Sequence, residues 1–260
     1  MAGIHPSAVI ADGAQIGADC SIGPFCVIGA DVVLGDGVTL KSHVVVDGDT
    51  QIGAGTVVFP FSVIGEIPQD LKFAGEKTQL RIGARNRIRE HVTINTGTAQ
   101  GGGITRVGDD GLFMAGCHIA HDAQIGNRVI IVNSSAVAGH CVIEDDVIIG
   151  GLCGVHQWVR IGQGAIIGAV TMVTADVVPH GLVQGPRGVL DGLNLVGLKR
   201  KGVDRADITA LRAAFQMLKD GEGNFQDRAR KLGDETDSAY VQDMVRFILG
   251  PSDRNFLTPG

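Results

Sequence analysis

The stretch HIAHDAQIG, residues 118 to 126, sets His118, His121 and Asp122 within five positions of one another. Histidine is the side chain whose ordinary ionisation lies closest to neutrality, which suits it to general-base work. An adjacent carboxylate can fix the tautomer of such a base, or stabilise the imidazolium it forms, if the backbone turns the two side chains together. On a straight strand neighbours point apart, so the pair requires a corner. If the chain repeats every 18 residues, His121 stacks with Gly139 and Gln157, and His140 and His156 fall one place away. Three histidines then gather within about two coil spacings, on the order of 10 Å. Gly139 lets a reacting carbonyl approach a backbone N–H closely. A base beside an oxyanion donor is equipment for acyl transfer. No Ser or Cys sits in a nucleophile motif, so transfer directly to a substrate hydroxyl is expected rather than a covalent enzyme intermediate.

The elements that must hold these residues are legible in a six-residue period. Ile4, Ile10, Ile16, Ile22, Ile28, Leu34, Leu40, Val46, Ile52, Val58 and Ile64 follow one another at that spacing. The phase resumes at Ile82, Ile88 and Ile94, and again, shifted by one, from Val107 through Phe113, Ile119 and onward to Val173. Six fits neither a helix nor an isolated strand, but suits a parallel β-helix with three short strands per coil. Residues 65–81 and 95–106 are then loops thrown out of the winding. At ~4.8 Å per coil the prism is roughly 40 Å long.

Beyond VVPHGLVQGP (177 to 186) the period fails. Residues 205–219 place Ile208, Leu211, Phe215 and Leu218 at helical spacing behind Asp204 or Asp207, and 224–232 and 236–249 are further helical candidates. The expected organisation is a hexapeptide-repeat β-helix over 1–186 and a small helical domain over 187–260.

Composition narrows the partners. With 22 basic and 28 acidic residues there is no broad attraction to nucleic acid. No leader-like segment or run of 18 apolar residues appears, so a cytoplasmic protein without stable membrane insertion is expected. Cys20, Cys26, Cys117, Cys141 and Cys153 all fall four places after a hexad aliphatic, which reads them as small core fillers rather than metal ligands or disulfides.

The motifs IGPFCVIG, LKSHVVV, IGEIPQDLKFAGE, RNRIREHVTI, GTAQGGGIT, HIAHD, VAGH, VHQ and LNLVGLKRKG run in order along nearly the whole chain. In this series the sequence resembles the UDP-N-acetylglucosamine O-acyltransferase family of lipid A biosynthesis. The resemblance implies a left-handed parallel β-helix, a homotrimer with sites between subunits, and no cofactor or metal. It implies transfer of a (R)-3-hydroxyacyl group from acyl carrier protein to the 3-hydroxyl of UDP-N-acetylglucosamine. Position by position it assigns His121 as the base, Asp122 as its supporting carboxylate and Gly139 as the oxyanion donor. Gln69, Asp70, Lys72, His118, His140, His156 and Gln157 match positions shaping the sugar and acyl site, and Asn194 and Arg200 match its nucleotide end.

Lys199, Arg200 and Lys201 offer adjacent cations for phosphate, while Arg81, Arg85, Arg87 and Arg89 form a basic stretch that could meet an acidic carrier or simply be a solvated corner. Asn95 and Thr96 stand where the family often has His and Arg, and Val196 where a glutamate is common. Ala169 matches a position that measures the acyl chain. Its axial distance from His121, roughly 13 Å at ~4.8 Å per coil, corresponds to about ten carbons, so a chain of about ten to twelve carbons is expected. Two other readings differ in chemistry: the N-acyltransferase of the same pathway, which usually carries an additional N-terminal domain, and a zinc-dependent hexapeptide carbonic anhydrase.

Overall fold

The computed structural model describes residues 3–259. Short strands, most of two residues, recur from Gly3–Ile4 to Val189–Leu193 and form three sheets of 11, 9 and 8 strands. Up to Met172–Val173 every third strand belongs to the same sheet, and all strand pairings but that of the final hairpin are parallel. The fold is a left-handed parallel β-helix followed by helices.

Within each two-residue strand the second side chain points inward and the first outward, as strand geometry requires. The hexad aliphatics are the inward set: Ile22, Ile28, Leu34, Leu40, Val46 and their successors are buried in one continuous column. Ile4, in the first described strand, is half-exposed. The five cysteines are buried and unpaired, with thiols directed at backbone carbonyls, as for Cys26 Sγ to Lys41 O at 2.8 Å. Burial pushes the Cys117 thiol up to about 11 and Cys141 to about 12, which leaves them inert fillers.

Many corners turn through left-handed backbone at residues other than glycine, among them Asp122 (φ +60°), His140 (φ +62°) and Trp158 (φ +68°). That conformation disfavours a Cβ but aims the side chain outward along the edge.

Paired strands are 18 residues apart in the regular coils (Ile22↔Leu40), 30 apart at Ile52↔Ile82 and 25 apart at Ile82↔Val107. The two excursions therefore leave the stacking intact. They are narrower than the sequence suggests, because strands Val63–Glu66, Thr93–Asn95 and Ile104–Val107 extend into the segments read as loop.

The sheet also continues past residue 186. Gly181–Gln184 pairs antiparallel with Val189–Leu193, a hairpin that closes the C-terminal end of the prism. The helices α1 (Leu195–Arg200), α2 (Arg205–Asp220), α3 (Phe225–Glu235) and α4 (Ala239–Leu249) follow. The last three bury Leu211, Leu218, Leu232, Val241, Val245 and Ile248 against one another. The chain then returns to the β-helix, where Phe256 bridges Asp176 and Pro259 bridges Leu190.

Candidate active site

The corner after strand His118–Ile119 carries the site. The left-handed turn at Asp122 brings its carboxylate round to His121, and Nδ1 of His121 lies 2.8 Å from Asp122 Oδ2. An ionised carboxylate only accepts, so His121 donates from Nδ1 and keeps a lone pair on Nε2. Both side chains are almost wholly buried.

The second excursion explains how the carboxylate is held. The Thr98 hydroxyl donates to Asp122 Oδ2 at 2.6 Å and the Thr98 N–H to Oδ1 at 2.8 Å. The Asp122 N–H in turn donates to Thr105 Oγ1 at 2.8 Å. Gly97 and Gly101 make this wrapping possible. A Cβ on Gly101 would sit 2.1 Å from Asp122 Cγ, and one on Gly97 would sit 2.2 Å from Ile104 N. Thr98 stands within the motif GTAQGGGIT, but no spacing in the sequence assigns it a role. Its signal is the phase shift itself, which places a loop just before the turn at Asp122.

Gly139 lies in the next coil above the imidazole. A Cβ there would approach His121 Cε1 to 2.5 Å and Nε2 to 2.7 Å, so the position demands glycine. The Gly139 carbonyl accepts from Trp158 N–H at 3.2 Å, whereas its own N–H makes no hydrogen bond among the described residues.

His121 and Gly139 face an open cleft of about 320 Å³, which Gln69, His118, Gln157, Gly154 and Met172 also line. Its floor is the outward face of one sheet, running from His118 through Ala136 and Gly154 to Met172. Met172 lies across Gly154, where a Cβ would meet its Cε at 2.8 Å. Beyond His118 the floor is therefore apolar. A larger recess of about 510 Å³ lies against Gly13, Asp49, Glu76 and Thr96, but it holds no base and donor pair.

The histidines separate into distinct roles. His118 Nδ1 lies 2.8 Å from the Thr93 hydroxyl, and burial, reinforced by His121, holds its ionisation below the usual histidine range. His140 meets His121 edge-on, with ring centroids 4.9 Å apart, and stacks on Trp158 at 3.9 Å. Burial also pushes His140 down, against the opposing pull of Asp122. In both rings burial favours the neutral form. His156 stands apart: it is exposed at the next coil, bonded to Arg254 rather than to the other histidines.

The loop between the strands Val63–Glu66 and Gln79–Ile82 brings Gln69 to the cleft. Asp70 and Lys72 lie close enough to His140 to pull its ionisation in opposite directions. Asn95 fastens the start of this loop, donating to Glu66 O at 3.3 Å and Ile67 O at 3.0 Å. Thr96 accepts from Thr78 at 3.0 Å.

Asn194 and Arg200 lie outside the cleft lining. The Asn194 amide caps α1 by accepting from Gly197 N–H at 2.9 Å and donates to Gly164 O at 3.0 Å. Lys201 binds Asp146 at 2.9 Å, while Arg200 is exposed on the last turn of α1 beside the exposed Val196. Ala169 is exposed at another corner, also outside the lining. The basic stretch disperses as the coil turns. Arg81 pairs with Asp49, Arg85 with Asp109 and Asp110, and Arg89 with Glu90.

His121, Asp122 and His140 each place a ligand atom within 4.8 Å of the others, so these three could hold a cation. Thr98 and His121 already occupy the carboxylate oxygens, however, so ligation would require those contacts to rearrange.

Residues 176–257 match the family described as UDP N-acetylglucosamine O-acyltransferase, domain 2, and residues 2–30 and 13–48 match bacterial transferase hexapeptide repeats. An acyl-[acyl-carrier-protein]–UDP-N-acetylglucosamine O-acyltransferase from Paracoccus denitrificans is 68% identical over 203 residues, 78% of this chain and 77% of its own. One of the same name from Rhizobium johnstonii is 47% identical over 98% of this chain and 94% of its own. Among solved structures, the UDP-N-acetylglucosamine acyltransferase from Campylobacter jejuni superposes with a TM-score of 0.93 at 38% identity, covering 99% of this chain and 100% of that one.

Proposed function

The chain belongs to the UDP-N-acetylglucosamine O-acyltransferase family, and from that premise we propose how its own residues carry the reaction. The enzyme moves a (R)-3-hydroxyacyl group from acyl carrier protein to the 3-hydroxyl of UDP-N-acetylglucosamine, the first step of lipid A biosynthesis. The observation that supports the roles most directly is the His121–Asp122 pair, oriented by Thr98, beside the uncommitted N–H of Gly139.

His121 Nε2 takes the proton from the sugar 3-hydroxyl as its oxygen forms a bond to the thioester carbon. The carbonyl oxygen gains the negative charge and accepts from Gly139 N–H. Asp122 stabilises the imidazolium. As the intermediate collapses the carbon–sulfur bond breaks, and the imidazolium returns its proton to the leaving thiolate. His118, His140, His156, Gln157, Gln69, Asp70 and Lys72 position the sugar and acyl portions, and Asn194 and Arg200 serve the nucleotide end.

We also propose a homotrimer with the cleft completed between subunits. Two outward faces support it: Val9, Val27, Val45 and Val63 on one sheet, and Leu112, Ile130, Ile148 and Ile166 on another. The middle of the third sheet presents Gln51, Arg81, Arg106 and Gln124, a polar run suited to water between Val33 and Val142. No helix is long and apolar enough to cross a membrane. Five unpaired thiols fit the cytoplasm as the working compartment.

With the cleft completed across the subunit boundary of the trimer, Ala169 limits the acyl chain to about ten to twelve carbons by removing the terminal space a glycine would leave. Competition between C10, C12 and C14 3-hydroxyacyl carrier proteins, with UDP-N-acetylglucosamine as acceptor, tests both the reaction and its length preference. Transfer from the shorter donors is expected, with Ala169→Gly moving preference toward C14. Absence of transfer from every donor would overturn the function, and a C14 preference unaltered by Ala169→Gly would overturn the ruler.

A further inference from the structure

The end of the chain returns to the catalytic side of the prism. Its anchor is Asp176, fully buried, whose Oδ1 accepts from Arg160 N–H at 2.8 Å. Asp176 Oδ2 accepts from Arg160 Nε at 2.7 Å and from the Ser252 hydroxyl at 2.6 Å. The backbone closes the attachment from both sides, with Asp176 N–H to Asn255 O and Leu257 N–H to Asp176 O, each 2.8 Å. Arg160 lies over the Phe247 ring at 4.4 Å and the Phe256 ring at 5.6 Å, tying α4 and the tail to the same point.

This attachment holds Arg254 over the coil that ends the cleft. Its N–H donates to Ser252 Oγ at 3.0 Å, its Nε donates to Gln157 O at 2.9 Å, and its Nη2 lies 2.6 Å from His156 Nδ1. A guanidinium has five donors and no acceptor. The His156 Nδ1 facing it must therefore offer a lone pair, which puts the ring proton on Nε2. The 3.3 Å approach of that same Nδ1 to Gln157 O is then no hydrogen bond, and Gln157 O has Arg254 Nε as its partner instead.

We propose that Arg254 is a positioning residue of the acyl-transfer site, acting through His156 and Gln157. It fixes His156 as a neutral donor from Nε2 and fixes the backbone that directs the Gln157 side chain into the cleft. The inference rests on the acyltransfer reading only for what the donor serves, an oxygen of the bound substrates. The contact itself exists without substrate. Arg254 stands 98 residues from His156 in sequence, and the helices that intervene act as the strut that delivers it.

Nitrogen NMR of the histidine rings in the substrate-free enzyme separates the two tautomers without reference to activity. The wild-type His156 signal is expected as the Nε2–H form. Arg254→Met should convert it to a mixture and raise KM for UDP-N-acetylglucosamine about tenfold, the size of one lost hydrogen bond to a charged partner, with a smaller change in kcat. Arg254→Lys, which restores one donor, should recover the Nε2–H signal and part of the KM. Circular dichroism of each variant checks that the fold is retained. A His156 tautomer unmoved by Arg254→Met, or a KM unmoved while the tautomer shifts, would overturn the proposal. Absence of transfer by the wild-type enzyme from every 3-hydroxyacyl donor would instead overturn the acyltransfer reading and leave the tautomer result standing.

Discussion

Two edges of the same prism carry acidic side chains at left-handed or adjacent corner positions, and they do opposite things. Along one, each polar side chain caps the coil below: Asp109 Oδ1 accepts from Ala84 N–H, Asn127 Oδ1 from Asp109 N–H and Asp145 Oδ1 from Asn127 N–H, all at 2.8 Å. The charges left over on that edge pair with Arg85 and Arg128. Along the other, Asp122 receives its backbone donor from the excursion loop through Thr98, and its second oxygen meets an imidazole instead of a guanidinium. The neighbour decides. A carboxylate satisfied by the next coil and an always-charged Arg is structural, whereas one that faces a base able to gain and lose a proton is placed to stabilise that base's charged form.

The sharpest separation of the two edges is His121→Ala. Turnover in the carrier-protein assay should fall by ~10²- to 10⁴-fold, the usual contribution of a positioned base, with the oligomer retained in sedimentation. Near-normal kcat would remove the catalytic edge from the comparison. Thr98→Val comes next. It deletes the 2.6 Å hydroxyl contact while keeping the side-chain shape, so turnover should fall about tenfold, and unchanged turnover would show that the loop does not orient Asp122.

Asp109→Ala tests the structural edge. It removes the acceptor for Ala84 N–H and one partner of Arg85, and should cost about 1 kcal/mol of stability with kcat intact. A fall in kcat comparable to that of Thr98→Val would collapse the distinction.

The effect most remote from turnover lies away from both edges, at His180, which burial, aided by Lys201, pushes down to about 4. In the unfolded chain this residue protonates near the ordinary histidine value of about 6.5, so the unfolded state binds the extra proton first. Stability should therefore be fully present above that value and decline as pH falls toward 4. Thermal unfolding of wild type and His180→Gln between pH 7 and 4 should show a shallower decline in the variant. Parallel curves would show that His180 titrates as it does in the unfolded chain.

The order of coils, the inward hexad column and the presence of two excursions were legible in the chain because each depends on short-range periodicity. So were the stacking of His121 on Gly139 and of His140 above Asp122, since register turns an 18-residue spacing into a neighbour. Register could not assign His156: a shift of one place along a coil exchanges the corner for the face beside it, and His156 turned away from the other histidines. The arginine run read as a basic stretch for the same reason, until successive corners sent its members to different faces.

What the sequence by itself determined is whatever repeats: the prism, its apolar core and the vertical alignment of His121, Gly139 and Gln157. Only the tertiary structure decided what does not repeat. Thr98 reaches Asp122 across 24 residues and Arg254 reaches His156 across 98, through a loop and a set of helices whose path no local period encodes. Periodic contacts follow from strand geometry, whereas these depend on where an irregular segment comes to rest against the finished coil.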